Sequence, residues 1–242
     1  VLVPGIIMSP SSPVASDDPT APRRRRGRIP VIGLIGAIGG GKSAVASLLR
    51  DRGAAVIDAD AVGHRVLELP EVRGALASRF GPVAFGGDGR VDRRALGAIV
   101  FADAAARRDL EAIVHPEMRR RFERAVAAEQ AAGDSPVIVL DAAILLEAGW
   151  DDLCDEVIYV DAPPEARLGR VARGRGWTAE TLRAREAAQW PAEEKLARAA
   201  RVVVNDKGLG ELEHAVGVLL RDLLAAPGAA PREEASPAVA TR

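Results

Sequence analysis

Cysteine occurs once, at position 154, so no internal disulfide can form and a reducing compartment is the natural setting. A lone cysteine of this kind reads as a small buried apolar residue. No cluster of cysteine and histidine suggests a zinc site. No run of eighteen apolar residues exists, so no membrane span is expected. Lysine is nearly absent: Lys42, Lys195 and Lys207 stand against thirty arginines. Aromatic residues make up only 3%, which leaves the core to aliphatic side chains, and an apolar content of 48% suffices for one. The 242 residues suit one large domain, or a core domain with a smaller insert.

Charge is informative once it is split along the chain. Residues 1–28 hold five Arg and two Asp, and residues 226–242 hold two Arg and two Glu. The stretch 29–225 between them carries 26 basic and 30 acidic groups, a net −4. That balance argues against a nucleic-acid partner. The flanks 1–28 and 226–242 are rich in Pro, Ala, Ser or Arg and are expected to be disordered, Arg23–Arg26 being solvated. Val1–Met8 lacks the basic start and long apolar core of a signal peptide, and Met8 is itself a candidate start.

What is present is a phosphate-binding pattern. Gly36-Ala-Ile-Gly-Gly-Gly-Lys42-Ser43 fits G-x-x-x-x-G-K-[ST], the P-loop. The apolar run Ile29–Ile35 before it reads as a strand, and Ala44–Arg50 after it has helical spacing. In that context the backbone N–H groups of Gly36, Ala37, Ile38, Gly39, Gly40, Gly41, Lys42 and Ser43 are candidates to wrap an anionic phosphate chain at a helix N-terminus. Lys42 is then expected at the β- and γ-phosphates of ATP and the Ser43 hydroxyl at Mg²⁺.

Further along, Ala54–Asp60 reads as a strand ending in two carboxylates, Asp58 and Asp60, which point the same way if the chain stays extended. The alternative is that Asp60 caps a helix beginning at Ala61. Residues 61–136 show helical patterning, with candidate helices at Ala61–Leu67, Glu71–Phe80, Arg93–Phe101 and Ala104–Ala131. Such an insertion is large enough to be a helical acceptor-binding lobe. Pro116 is expected to kink or restart its helix beside His115, which is itself either a packing or a functional residue. Pro136–Asp141 reads as a buried parallel strand whose terminal Asp141 holds the place of a Walker-B acid for Mg²⁺.

Glu156–Val160 and Ala200–Asn205 complete five strands, and Leu209–Leu224 is an amphipathic closing helix. Residues 165–190 carry six arginines, among them Arg167, Arg170 and Arg173, with a break expected at Gly174-Arg-Gly-Trp-Thr178. They are either a solvated face or a lid over a migrating phosphoryl group. The whole implies a doubly wound five-stranded parallel α/β fold of the P-loop NTPase type over 29–225, with a helical insert at 61–136 and a lid at 165–190.

These pieces resemble the dephospho-CoA kinase family over about residues 30–220. The landmarks are Gly33–Ser43, Asp58-Ala-Asp60, Asp92–Phe101, Leu110–Pro116, Ile144–Glu147, Arg185–Gln189 with Glu193-Glu-Lys195, and Val202–Asn205. The resemblance implies an enzyme that uses MgATP to phosphorylate the ribose 3′-hydroxyl of dephospho-CoA, giving CoA and ADP. The lone cysteine points to the cytoplasm, and of the oligomeric states, which the sequence does not fix, a monomer is favoured. By the resemblance Asp60 is the general base, with Lys42 and Arg170 on the phosphates. Asp58, His115, Glu147 and Gln189 serve the acceptor, and Asn205 lies near the adenine of ATP.

The sequence departs from the family at Ile35, usually Thr, and at Ala37, usually Gly. It departs again at Ala143-Ile-Leu-Leu-Glu147, usually Pro-Leu-Leu-Phe-Glu, and at Gly174, usually a second lid arginine. Shikimate- or gluconate-type kinases are the nearest alternative, but they lack so long an insert. A GTP switch protein needs N-K-x-D, which Asn205-Asp-Lys207 is not.

Overall fold

The computed structural model describes residues 6–8 and 28–225. Five parallel strands form the centre of the sheet: β2 (Val31–Gly36), β3 (Ala55–Asp58), β4 (Ile138–Asp141), β5 (Glu156–Asp161) and β6 (Arg201–Val204). A sixth, β1 (Ile6–Met8), pairs antiparallel with β6, giving the order β1-β6-β5-β2-β4-β3. The expectation of disorder across 1–28 is therefore corrected at Ile6–Met8. Ile-Ile-Met suits extended backbone, and β6 offers that stretch an open ladder edge. The rest of 1–27 and all of 226–242 lie outside the described residues.

The central strands are continuous apolar runs because both faces of the sheet are covered. All six residues of β2 are buried, as are Ile138, Val139 and Leu140 of β4. On one face α1 (Lys42–Arg50) and α9 (Leu209–Ala225) pack Leu49, Val216 and Leu219 against Ile32, Leu34 and Ile158. The other face carries α2 (Ala59–Val66), α3 (Pro70–Phe80), α4 (Arg93–Ala102) and α5 (Ala104–Ala132), which bring Val66, Leu76, Leu96 and Phe122 onto Ile35 and Tyr159. The predicted insert is thus built into the main core.

At Pro116 the helix does not restart: α5 runs through it. The proline removes one hydrogen bond, but Val114, Met118 and Phe122 on either side of it are buried, and that packing holds the helix through the gap. The break expected within Gly174–Thr178 is found there: α6 (Pro164–Arg175) includes Gly174 and ends at Gly176, whose φ of 66° makes it the left-handed C-cap. Thr178 then caps α7 (Ala179–Glu186), and α8 (Ala192–Arg198) leads into β6. No helix among the described residues is long and apolar enough to cross a membrane.

The chain leaves β2 toward β3 and leaves its neighbour β5 toward β6, in opposite directions along the sheet. That is a topological switch point, and its crevice opens at the carboxyl ends of the strands. Gly36 ends β2 there.

Candidate active site

The loop after β2 owes its shape to glycine. Gly39 and Gly41 have φ of 77° and 99°, which a side chain would strain, and a Cβ on Gly36 would come within 2.5 Å of Val160 O. Ala37 needs no positive φ and packs against the core, so its departure from the family pattern is accommodated. Ile35 is fully buried among apolar neighbours and fits equally well. The Gly40 N–H donates back to Ala37 O at 2.9 Å, so that amide is spent inside the loop.

Register sets the acids beside this loop. Leu34 of β2 pairs with Asp141 of β4, and Asp141 pairs with Asp58 of β3, so both carboxylates stand at the loop's end of the sheet. Asp141 forms an ion pair with Lys42, whose side chain is 21% exposed. The expected identity of the helix cap is corrected: α2 begins at Ala59, and Asp58 is the N-cap, accepting the Ala61 N–H at 3.0 Å. Asp60 lies in the first turn of α2, exposed, so the two acids are joined by the start of a helix rather than by extended chain.

The other half of the loop is tied from the lid. Arg170 of α6 donates to Gly39 O (3.2 Å), Gly40 O (3.1 Å) and Asn205 O (2.9 Å). Asn205 Nδ2 donates to Gly40 O at 2.9 Å. Arg170 is therefore separated from the other lid arginines by its contacts. Arg167 pairs with Glu186, while Arg173 is exposed. Arg175 and Arg185 stack on Trp177 at 4.8 and 4.3 Å from the ring centroid.

His115 packs edge-on against Trp150 at 4.9 Å, and burial lowers its pKa below the usual histidine range, with the Glu111 charge opposing. Glu147 and Gln189 meet at Lys195. Lys195 Nζ pairs with Glu147 Oε1 at 2.8 Å and donates to Gln189 Oε1 at 3.0 Å. Neither Lys195 nor Tyr159 was singled out as a site residue from sequence. Tyr159 is buried beside Ala37, and desolvation, followed by the Asp161 charge, pushes its pKa up to about 12. The rarity of lysine was the available signal for Lys195. Cys154 is buried, as expected, and burial pushes its thiol pKa far up, so it stays protonated.

Among the described residues no three acids, histidines or cysteines cluster to hold a metal. The Asp141 carboxylate and Ser43 hydroxyl remain as hard oxygen donors, suited to an ion that takes its other ligands from phosphate and water. The arrangement is a glycine loop that carries a lysine, is held by a guanidinium, and lies beside the carboxylates that end β3 and β4.

Residues 30–211 match the model of the family described as dephospho-CoA kinase. The chain is 46% identical over 177 residues to the protein of that name from Symbiobacterium thermophilum, covering 72% of this chain and 73% of that one. It is 44% identical over 209 residues to the one from Deinococcus radiodurans, covering 86% and 96%. Among solved structures it resembles TT1252 from Thermus thermophilus with a TM-score of 0.70 and 39% identity, over 81% of this chain and 98% of that one. A dephospho-CoA kinase from Campylobacter jejuni shares the fold, with a TM-score of 0.61 at 23% identity over 80% and 96%.

Proposed function

The chain belongs to the dephospho-CoA kinase family, and from that premise we propose how its residues move the γ-phosphoryl group of ATP to the ribose 3′-hydroxyl of dephospho-CoA. The observation that carries the reading is the register that puts Asp141 and Asp58 beside the P-loop. Asp60, two residues beyond Asp58 in the first turn of α2, is the general base that accepts the 3′-hydroxyl proton as that oxygen aligns with the γ-phosphorus. Asp58 holds the start of α2, and so aims Asp60.

Lys42 exchanges Asp141 for the β- and γ-phosphate oxygens, where its charge offsets that of the transferring group. Arg170 keeps the loop in shape through its carbonyl contacts, which do not exhaust its five N–H donors; the remainder serve the phosphates. Asn205 fixes the loop beside the adenine of ATP. Ser43 and Asp141 hold Mg²⁺, which neutralises phosphate charge when bound. Glu147, Gln189 and His115 shape the acceptor site; a neutral His115 adds no charge to it. The same reading places the protein in the cytoplasm, a reducing compartment that suits its free and buried cysteine.

Asp60→Asn tests the assignment. Asn cannot take the proton, and Asp60 is not the helix cap, so kcat is expected to fall by roughly 10²–10⁴-fold with an unchanged melting temperature. Steady-state kinetics with dephospho-CoA and a thermal melt decide it. A kcat within about threefold of wild type shifts the role to Asp58.

A further inference from the structure

Two peptides of the P-loop join glycine to glycine, Gly39–Gly40 and Gly40–Gly41. With no Cβ on either side such a peptide can turn over, exchanging the faces on which its C=O and N–H stand. The bond is trans, so the two groups point in opposite directions. In one orientation an anion meets the N–H; in the other it meets the negative end of the carbonyl. The first peptide is fixed at both groups, the Gly40 N–H on Ala37 O and Gly39 O under Arg170. The second is fixed through its carbonyl alone. Gly40 O accepts from Asn205 Nδ2 at 2.9 Å and from Arg170 Nη1 at 3.1 Å.

Holding that oxygen turns the Gly41 N–H to the opposite side, where it enters no hydrogen bond among the described residues. Gly41 is the N-cap of α1, and no side chain caps that helix end. Its amide therefore stands free at the positive end of a helix, as an anion-binding donor. The two groups that hold Gly40 O differ in permanence. Asn205 is 7% exposed, and its own N–H bonds Asp161 O at 2.7 Å, which ties it to the end of β5. Its side chain lies so close to the loop that a Cβ on Gly41 would run into Nδ2. Arg170 rides on α6, whose one buried residue is Val171, and it reaches Asn205 O at 2.9 Å. When α6 lifts, Asn205 alone keeps the peptide from turning over.

We propose that Asn205 is a positioning residue for the phosphate chain of the nucleotide. Its carboxamide locks the Gly40–Gly41 peptide with the N–H toward the ligand, whether or not α6 is in place. The inference rests on the ATP reading of this loop and adds that the Asn205 side chain serves the phosphates, whatever base they carry.

The test compares Asn205→Ala with wild type, both as the full chain. Dissociation constants for MgATP and for magnesium tripolyphosphate, which carries no base, are measured by calorimetry. Melting temperature and the KM for dephospho-CoA are measured beside them. Both dissociation constants are expected to rise roughly tenfold, the scale of one hydrogen bond, with KM for dephospho-CoA changed by less than about twofold. A rise confined to MgATP means that Asn205 reads the base, and overturns the proposal. Unchanged constants for both probes overturn it as well. A lowered melting temperature with losses that extend equally to dephospho-CoA reduces Asn205 to a structural residue and overturns it too. If the variant does not fold, Asn205→Leu, which fills the same space without a donor, must give the paired rise or the proposal fails. A wild-type protein that binds neither probe sinks the ATP reading itself, a result seen before any variant is made.

Discussion

The insert and the lid flank the same loop but are attached by opposite means. The insert sends Val66, Leu76 and Phe122, all fully buried, into the main core. The two lid helices α6 and α7 bury one large side chain each, Val171 and Leu182. They are held instead by Arg170 on backbone carbonyls, the Arg167–Glu186 pair and Trp177 between two arginines. Apolar anchoring is lost only by exposing the core, whereas water can replace hydrogen bonds and ion pairs at small net cost. The insert therefore unfolds with the domain, whereas α6 and α7 can separate from it at lower cost, as the proposed lid role requires.

The hardest way to break this contrast is to attack the insert. Phe122→Ala is expected to cost about 3–5 kcal/mol in chemical denaturation, against about 2 kcal/mol for Leu182→Ala in the lid. Equal losses would mean that both regions share one core. The lid reveals itself in rate instead: Arg170→Ala should lower kcat/KM by roughly 10²-fold while the melt stays in place. Exposed Arg173, changed to Ala, should stay within about twofold of wild type, and matching losses at both positions would return α6 to a solvated face. Arg167, paired and lining a cavity, is no such control.

The smallest effect sharpens the contrast through pH. Burial depresses the pKa of His115 in the folded insert, so between that value and about 6.5 the unfolded chain binds the extra proton. Stability from neutral His115 is complete above about pH 6.5 and is lost as pH falls through the folded pKa. The drop in Tm between pH 7.5 and 5.5 should therefore be smaller in His115→Gln, by on the order of a degree.

Punctuation made part of this molecule readable. Gly36 to Gly41 break the pattern between an apolar run and a helix, and the strand, loop and helix follow in place. The five parallel strands were legible for the same reason, each being a short apolar run between turn residues. Other features depend on distant partners. Whether Pro116 breaks α5 is decided by what Val114 and Phe122 pack against, and no local window contains that. α2 begins at Ala59, which moved the cap from Asp60 to Asp58. The burial of Lys195 follows from Glu147, far away in sequence, and side-chain type alone places a lysine outside.

The lengths of the strands carry a last consequence. β2 and β5 at the centre have six residues each, β4, β6 and β3 have four, and β1 has three. The sheet tapers toward both margins, so a foreign chain approaching either edge meets only a few free N–H and C=O groups. Without β1, the margin would be β6 and its valines, a segment of high β-propensity. Three residues from near the start of the chain thus shield the rim most open to edge-to-edge aggregation, by occupying it with a strand too short to recruit another.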